Sequence, residues 1–408
     1  MHSRQFGAEK EKGIGGGIVS KESQRNLEMA EKLCQKGNPN AAAPYIMKAI
    51  EDTNNTDAFV QMAFLFSDMN DSVECLETGI NHGRTCLKKK FGPNVFDDGS
   101  EYVGHFWDFA ESRPYMRGLQ AMVRIAFDAK QYRKSADAAI EMLRLCPGDN
   151  LGQRYWLGSL LLRVGRFSDA LFFAQQWMSD SLGEVRITAH GGTKFGKPHS
   201  TPLLASEEGM LANYFKDALV YTAAYASFKL YGDCPQSQQY LRLAAKINPI
   251  ILVKILAKIA APTSLNMMPR AQNGPEDAQD YLWLTQDLWM QPDVWEWADQ
   301  DPDTRSTVRR LCSRDACQKV ETEVAQFKRC AACKTVNYCS AECQKKDWKA
   351  HKPSCQEHQS MKKAQKAYTR GKKTNPDAPL IASADFMGGE IFTHENHGGT
   401  DTKYCDSQ

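Results

Sequence analysis

Eight residues that can ligate a soft or borderline metal ion crowd into one short stretch of this chain. Seven of its thirteen cysteines fall between residues 312 and 355, 44 positions that would hold about 1.4 if cysteine were spread evenly. The order is Cys312, Cys317, Cys330, Cys333, Cys339, Cys343, His351, Cys355, which makes four close pairs: C-x4-C, C-x2-C, C-x3-C and H-x3-C. Two ligands separated by two residues can sit on a tight turn with both sulfurs aimed at one ion, and two separated by three can sit on neighbouring turns of one helix face. A pair is half of a tetrahedral site, so four pairs suit two zinc ions. An iron–sulfur cluster would use four cysteines and leave the rest idle. A disulfide framework would need an oxidising compartment, and no apolar signal peptide opens the sequence. Because every ligand is a protein atom, neither ion has an open position for water or substrate; such sites are structural, and their binding energy folds a segment too small to have its own core.

The run Cys330-Ala-Ala-Cys333-Lys-Thr-Val-Asn-Tyr338-Cys339-Ser-Ala-Glu-Cys343-Gln344-Lys-Lys-Asp347-Trp348-Lys-Ala-His351-Lys-Pro-Ser-Cys355 resembles a MYND-type zinc finger over its whole length. The resemblance implies cross-brace ligation, with Cys312, Cys317, Cys339 and Cys343 on one zinc and Cys330, Cys333, His351 and Cys355 on the other. It also implies a function: fingers of this family bind short proline-containing peptides of partner proteins, through groove positions that here are Gln344 and Trp348. An indole on a helix is a flat apolar platform for a proline ring, and an amide can fix a peptide backbone. The alternative for Trp348 is packing against the finger's own second site. Two departures from the family pattern stand out: the first pair is C-x4-C where C-x2-C is usual, and Ala331 stands where a serine is frequent.

The rest of the chain must position this finger or add surfaces to it. From Glu22 to about Ala261 apolar residues recur at helical spacing, with almost no strand-like alternation. Lys130-Gln-Tyr132-Arg-Lys-Ser135 recurs 35 positions later as Gly165-Arg-Phe167-Ser-Asp-Ala170. Each copy has an aromatic residue at a turn and a small one three positions on, where a second helix must come close. Leu157-Gly158 marks such a contact in a preceding helix, and Pro147 and Pro249 end units. These positions resemble tetratricopeptide repeats, with units at about 116–149, 151–180 and 211–249, the last with Gly232 at its turn and Ala244 at its small position. The expected fold class is therefore mainly α: a tetratricopeptide-like α-α repeat array over 21–261, followed by a small cross-brace two-zinc finger.

Residues 1–20, with Gly13-Ile-Gly-Gly-Gly17, read as a disordered N-terminus, and 91–112 as a packed loop. Residues 183–206 read as a mobile polar insertion whose His190 and His199 lack further ligands at metal spacing. A linker is expected at 262–275. A Trp-rich helical segment follows at 276–300, docked on the array and burying Tyr281, Trp283, Trp289, Trp295 and Trp297, with an exposed aromatic strip as the sharper alternative. Residues 360–408 read as a basic stretch (Lys362, Lys363, Lys366, Arg370, Lys372, Lys373) and then a disordered tail.

A net charge of +2, from 51 basic and 49 acidic residues, supplies no global field for nucleic acid. The most apolar run, 250–261, is too short to span a membrane and contains Lys254 and Lys258. The six scattered cysteines, Cys34, Cys75, Cys86, Cys146, Cys234 and Cys405, read as reduced thiols of a cytoplasmic or nuclear protein. No hydrolase triad or paired-carboxylate signature occurs. Asn396-His397 distantly resembles a motif of SET-domain lysine methyltransferases, but neither the following cysteine nor a catalytic tyrosine segment is present. The expectation is a non-enzymatic adaptor binding protein segments through finger and array. The alternatives are a transcription or chromatin cofactor whose basic tail touches nucleic acid and, further off, a SET/MYND methyltransferase.

Overall fold

The computed structural model describes residue 4 and residues 7–182, 188–214, 217–266, 272–369, 381–384 and 391–393. It is mainly helical and divides into two compact units, one up to His199 and one from Ser200 onward. The helices expected to form a single array are thus shared between two units.

The first unit contains α1 (Gly7–Lys12), α2 (Lys21–Gln35), α3 (Pro39–Ile50), α4 (Thr56–Ala63), α5 (Met69–Phe91), α6 (Arg113–Asp128), α7 (Tyr132–Leu145), α8 (Arg154–Arg163) and α9 (Phe167–Leu182). From α2 on, successive helices pack as pairs, α2 with α3, α4 with α5, α6 with α7 and α8 with α9. The turns inside three of these pairs share one chemistry. Gly37, Lys130 and Gly165 take left-handed φ values of 76°, 60° and 74°, and the next N–H reaches back to a carbonyl of the last helical turn: Asn38 to Leu33 (3.0 Å), Gln131 to Ala126 (2.8 Å), Arg166 to Leu161 (2.9 Å). This is the Schellman C-cap, which satisfies carbonyls that the helix end leaves free. The starts of α2, α3, α4 and α5 are capped by Ser20, Asn38, Asn55 and Asp68. The recurring small positions explain themselves as well. Ser135 and Ala170 are fully buried, and the Ser135 hydroxyl donates to the carbonyl of Val123 (2.6 Å) in the facing helix. At Gly79 of α5 a Cβ would lie 2.4 Å from Cβ of Phe59, so the α4–α5 contact excludes even alanine.

Residues 1–20 require correction: from Gly7 onward the N-terminus is packed. Ile14 and Val19 are buried with Leu27, Ala49 and Ala58, and Glu9 of α1 is 3% exposed. The glycine run that reads as flexible supplies turn geometry instead. Gly15 and Gly16, at φ 59° and 63°, turn the chain so that Glu9 accepts from the Gly15 N–H (2.8 Å) while pairing with Arg117 (2.8 and 3.0 Å). Arg117 is itself buried and pairs on its other edge with Asp57 (2.6 and 2.7 Å), which Arg4 also approaches (3.8 Å). Residues 1–3, 5 and 6 lie outside the described residues.

Two insertions complete this unit. In 91–112, Phe96 and Phe106 are buried and the Phe106 N–H bonds the carbonyl of Leu145 (3.1 Å), as expected of a packed loop. The insertion after α9 is packed where it is described, up to His199. Trp177 donates its indole N–H to the carbonyl of Gly191 (3.2 Å), and the Gln175 amide bonds the backbone of His199 in both directions (2.8 and 3.1 Å). Polar backbone that the sequence suggests is solvated finds side-chain partners here.

The second unit contains α10 (Ala205–Tyr214), α11 (Asp217–Tyr231), α12 (Pro235–Ile247), α13 (Pro249–Leu256), α14 (Pro275–Trp289), α15 (Pro292–Gln300) and α16 (Pro302–Val308), then β1 (Lys328–Arg329), β2 (Asn337–Tyr338), α17 (Ala341–Thr369), β3 (Ile381–Ala384) and β4 (Ile391–Thr393). Gly232 (φ 72°) turns α11 into α12, and Ala244 is fully buried. The Trp-rich segment is two helices, broken before Pro292, with Tyr281, Trp289 and Trp297 buried and Trp283 and Trp295 half-buried. Trp289 is 0% exposed, lies edge-on to Tyr221 and Tyr225 (5.8 and 5.4 Å between centroids) and donates to the Tyr281 hydroxyl (3.0 Å). Trp297 stacks on Phe228 at 4.4 Å, and Trp295 donates to the carbonyl of Ile255 (3.1 Å). These contacts make an aromatic core within the second unit. The linker is tied down at its ends, Asn266 N–H to Asp280 (2.6 Å) and Asn248 to the Gly274 carbonyl (3.1 Å), while 267–271 lie outside the described residues. Residues 250–256 of the apolar run lie in α13, where Ile251, Leu252, Val253, Ile255 and Leu256 are buried, while 258–261 lie beyond the helix and are exposed; among the described residues no helix is long and apolar enough to cross a membrane. In the tail β3 and β4 pair antiparallel; Arg370, Lys372, Lys373 and the Asn396-His397 motif lie outside the described residues.

Burial alone would push the Asp57 carboxyl up, but the Arg117 and Arg4 guanidiniums outweigh it and hold it below its ordinary value. A depressed carboxylate contributes stability that is present above its ordinary pKa and lost as pH falls through the folded value. Arg117→Met strands two buried carboxylates and is expected to cost about 3–5 kcal/mol. Adding Glu9→Gln and Asp57→Asn should recover part of it. The denaturant midpoint of the N-terminal unit's transition checks both, and a triple variant no more stable than the single one would refute the ion-pair account.

Candidate metal centre

The finger begins where α16 ends. A loop carrying Cys312 and Cys317 closes through the Leu311–Val320 bridge and the Cys312 N–H bond to the Lys319 carbonyl (2.8 Å). Its base is pinned by Glu321, a carboxylate 1% exposed that accepts from the N–H groups of Arg310 (2.9 Å) and Phe327 (2.7 Å). That pinning lets a four-residue separation serve as a ligand pair. β1 and β2 then pair antiparallel, Lys328 opposite Tyr338 and Arg329 opposite Asn337, with Cys330 and Cys333 on the turn between them. Ser340 caps α17 through the Cys343 N–H (3.2 Å), which sets Cys343 in its first turn. His351 and Cys355 are one turn apart on the same helix and therefore on one face.

These elements gather the eight residues into the two groups expected, Cys312, Cys317, Cys339 and Cys343 in one and Cys330, Cys333, His351 and Cys355 in the other, with donor atoms within 4.8 Å of one another in each. Sulfur separations in the first group are 3.6 Å (Cys317–Cys339), 3.5 Å (Cys339–Cys343) and 3.6 Å (Cys343–Cys317). In the second, Cys330 and Cys355 are 3.9 Å apart, and Cys333 Sγ lies 3.4 Å from His351 Nε2. A tetrahedron with Zn–S bonds of about 2.3 Å has edges of about 3.8 Å, and a mixed S–N edge is about 3.5 Å. A disulfide would need about 2.05 Å. The donor sets fit two zinc ions in a cross-brace, first pair with third and second with fourth. Cys312, on the atypical C-x4-C pair, is 2% exposed and part of its cluster. Among the described residues His190 and His199 join no such group; His190 Nδ1 sits 4.0 Å from Asp98.

Protonation shows why a cation belongs there. Burial pushes the Cys312 thiol up, but bonds from the N–H groups of Cys339 and Arg314 and from the thiols of Cys317 and Cys339 bring it down to about 7. Cys339 is pushed up to about 12 by burial and by the protons it gives to Cys343, Cys317 and Cys312. In the second group burial again opposes ionisation, yet Thr335 and the neighbouring thiols bring Cys333 down to about 6, while Cys355 is raised. In each group the close thiols disfavour one another's ionisation, and a divalent ion that displaces the protons removes that restriction.

Residues that the cysteine spacing did not single out orient the ligands. Thr335 donates its hydroxyl to Cys333 (3.0 Å) and Gln359 its amide to Cys355 (3.4 Å). His351 Nδ1 lies 3.4 Å from the Ser354 hydroxyl, which leaves Nε2 to the metal. Tyr338, 1% exposed, donates to Asp347 (2.6 Å) and locks β2 to α17. Only short polar side chains near each ligand could have signalled these roles, and such residues are common. Gln344 and Trp348 are four apart on α17. Trp348 is 43% exposed, and its ring lies T-shaped to that of His351 (6.1 Å between centroids).

Purified protein is expected to carry two zinc ions per chain, measured by native mass spectrometry. Because the pairs interleave, Cys330→Ser or Cys339→Ser should leave fewer than one. Zinc binding releases thiol protons, so retention should fall as pH drops, and a chromogenic chelator should capture both ions over one acid transition. Independent loss of a single ion, with the other site intact, would contradict the interleaving.

Comparison with known proteins agrees with this geometry. Residues 312–355 match the MYND finger family. The chain is 49% identical over 47 residues to an F-box protein of Arabidopsis thaliana, covering 11% of this chain and 14% of that protein. It is 49% identical over 39 residues to SET domain-containing protein 14 of Caenorhabditis elegans (10% and 9%), and 44% identical over 57 residues to SET domain and MYND-type zinc finger protein 6 of Schizosaccharomyces pombe (14% and 11%). The chain therefore spans less than a sixth of the length of these relatives. No solved structure matches it. The stretch from Cys312 to Cys355 is a MYND zinc finger.

Proposed function

We propose that this protein is a non-enzymatic adaptor whose zinc finger and helical array each bind peptide segments of partner proteins, with proline-containing segments docking on the finger at Gln344 and Trp348. One observation carries the reading: an indole 43% exposed stands on a helix held by ligands of both metal sites, with an amide one turn before it. An exposed tryptophan on a fixed helix is the kind of anchor on which peptide recognition concentrates its energy. The exposed part of the ring is the surface offered to a proline. Ala331, which lacks a hydroxyl, offers no side-chain hydrogen bond to such a peptide.

The helical part is read as tetratricopeptide-like. The Schellman turns at Lys130 and Gly165, 35 residues apart, and the buried small residues Ser135 and Ala170 that follow each of them support that reading. Arrays of this kind expose concave faces that bind extended segments, and two modest sites on one chain gain avidity toward one assembly. The absence of enzymatic activity is part of the proposal. Two of the relatives are SET-domain proteins by name, but the likeness is confined to the finger region, which has closed metal sites. A cytoplasmic or nuclear location suits the unpaired cysteines outside the finger, Cys34, Cys75, Cys86, Cys146 and Cys234.

Trp348→Ala should abolish capture of the finger's partners while zinc content stays at two per chain, and removal of residues 310–356 should lose the same set. Partners retained by both variants belong to the array. Capture by Trp348→Ala equal to wild type would remove the docking role from this residue, and methyl transfer from S-adenosylmethionine by the purified chain would overturn the non-enzymatic reading.

A further inference from the structure

Beside the Gln344–Trp348 row, α17 carries a second row of a different character. Lys345, Lys349 and Lys352 are spaced by four and three residues and so share one face, and by the same spacing Trp348 is a surface neighbour of both Lys345 and Lys352. All three lysines are exposed, and among the described residues none forms an ion pair or a hydrogen bond. The carboxylates that could reach them are already engaged: Glu342 with Lys346 (2.6 Å) and Asp347 with the Tyr338 hydroxyl (2.6 Å). Like charges at this spacing repel and weaken a helix. The helix carries them because its ligands fix it, and an anion laid on the row would relieve the repulsion.

We infer that the segment bound by the finger carries acidic residues flanking its proline core, the core resting on Trp348 and the carboxylates on Lys345, Lys349 and Lys352. This rests on the peptide-docking reading above and adds a charge requirement to it. An extended peptide projects alternate side chains every ~7 Å, close to the ~6 Å rise between Lys345 and Lys349, so one strand laid along the helix can meet the indole and the ammonium groups together. Nucleic acid fits the row less well. It spans only about 10 Å, holds no arginine for bidentate phosphate contact and has a single exposed aromatic beside it.

The test is selection of random displayed dodecapeptides on the full-length, zinc-loaded chain, beside a Lys345→Gln/Lys349→Gln/Lys352→Gln variant and Trp348→Ala, each first shown to hold two zinc ions. Wild type should enrich proline with aspartate or glutamate within a few positions. The triple variant should keep the proline and lose the acids, and its affinity for the wild-type winners should fall about tenfold, a difference that shrinks as salt rises. Trp348→Ala should lose the proline. Enrichment of proline with neutral or basic flanks, or acidic enrichment unchanged in the triple variant, overturns the charge requirement and leaves the docking reading standing. No enrichment by wild type overturns both. Retention of a DNA duplex that the triple variant loses would reassign the row to nucleic acid and also defeat the inference.

Discussion

The arrangement of the finger depends on cancelling the repulsion of crowded thiolates. Its own buried cluster consists of Phe327, Tyr338 and five cysteines, with little other apolar matter. A segment of that size cannot bury enough surface to offset the conformational entropy of ordering it. Zinc supplies the missing energy, and the interleaved ligand order spreads it over the whole stretch. The first ion ties the Cys312–Cys317 loop to the start of α17, and the second ties the Cys330–Cys333 turn to the middle of that helix. Glu321, Thr335, Gln359 and the Tyr338–Asp347 bond fix where the ligands point, so that the site is shaped for the ion.

The helical units rest on a different device, close approach of helices at small residues combined with economical turns. Gly79, Ser135 and Ala170 let backbones come together, and left-handed C-caps reverse the chain within two or three residues. The polar exception is the Glu9–Arg117–Asp57 cluster. It satisfies each buried charge with a partner on another element and joins α1, α4 and α6. Buried ion pairs seldom add net stability over apolar packing, but their directional bonds admit one arrangement only. Here that arrangement holds the N-terminal segment in place.

The parts of this structure that were legible in the sequence are those with a strict spacing rule. Ligand pairs of cysteine and histidine have few geometric solutions, so the eight residues stood out by their spacing, and the resemblance to the MYND family implied how they divide between two ions. Helical periodicity and the 35-residue recurrence of Lys130-Gln-Tyr and Gly165-Arg-Phe likewise marked the turns, because a turn chemistry repeats with its unit. Illegible features were those decided by distant partners. The Gly13–Gly17 run has a disordered composition, and only Arg117, more than a hundred residues on, makes Glu9 worth burying. The break at Pro292 was hidden by an unbroken series of aromatics, and the packing around Gly191 depends on the indole of Trp177. Thr335 and Gln359 carry no local sign that a sulfur lies within reach.

Ligand order also bears on what the finger can present. Cys343 belongs to one metal site and His351 and Cys355 to the other, and all three are on α17. Residues 344–350 are therefore a length of helix with a clamp at each end, each anchored to a different ion. A side chain on such a length loses little backbone freedom when a partner binds, and the ordering cost that erodes most peptide interactions has been met during folding. This accounts for a large exposed indole in the least yielding part of the finger, where an exposed apolar group on a mobile loop would invite nonspecific association. It also ties the proposed recognition to metal content: because the ligand pairs interleave, losing either ion loosens the finger as a whole, and the row from Gln344 to Trp348 loses the rigidity a docking surface needs.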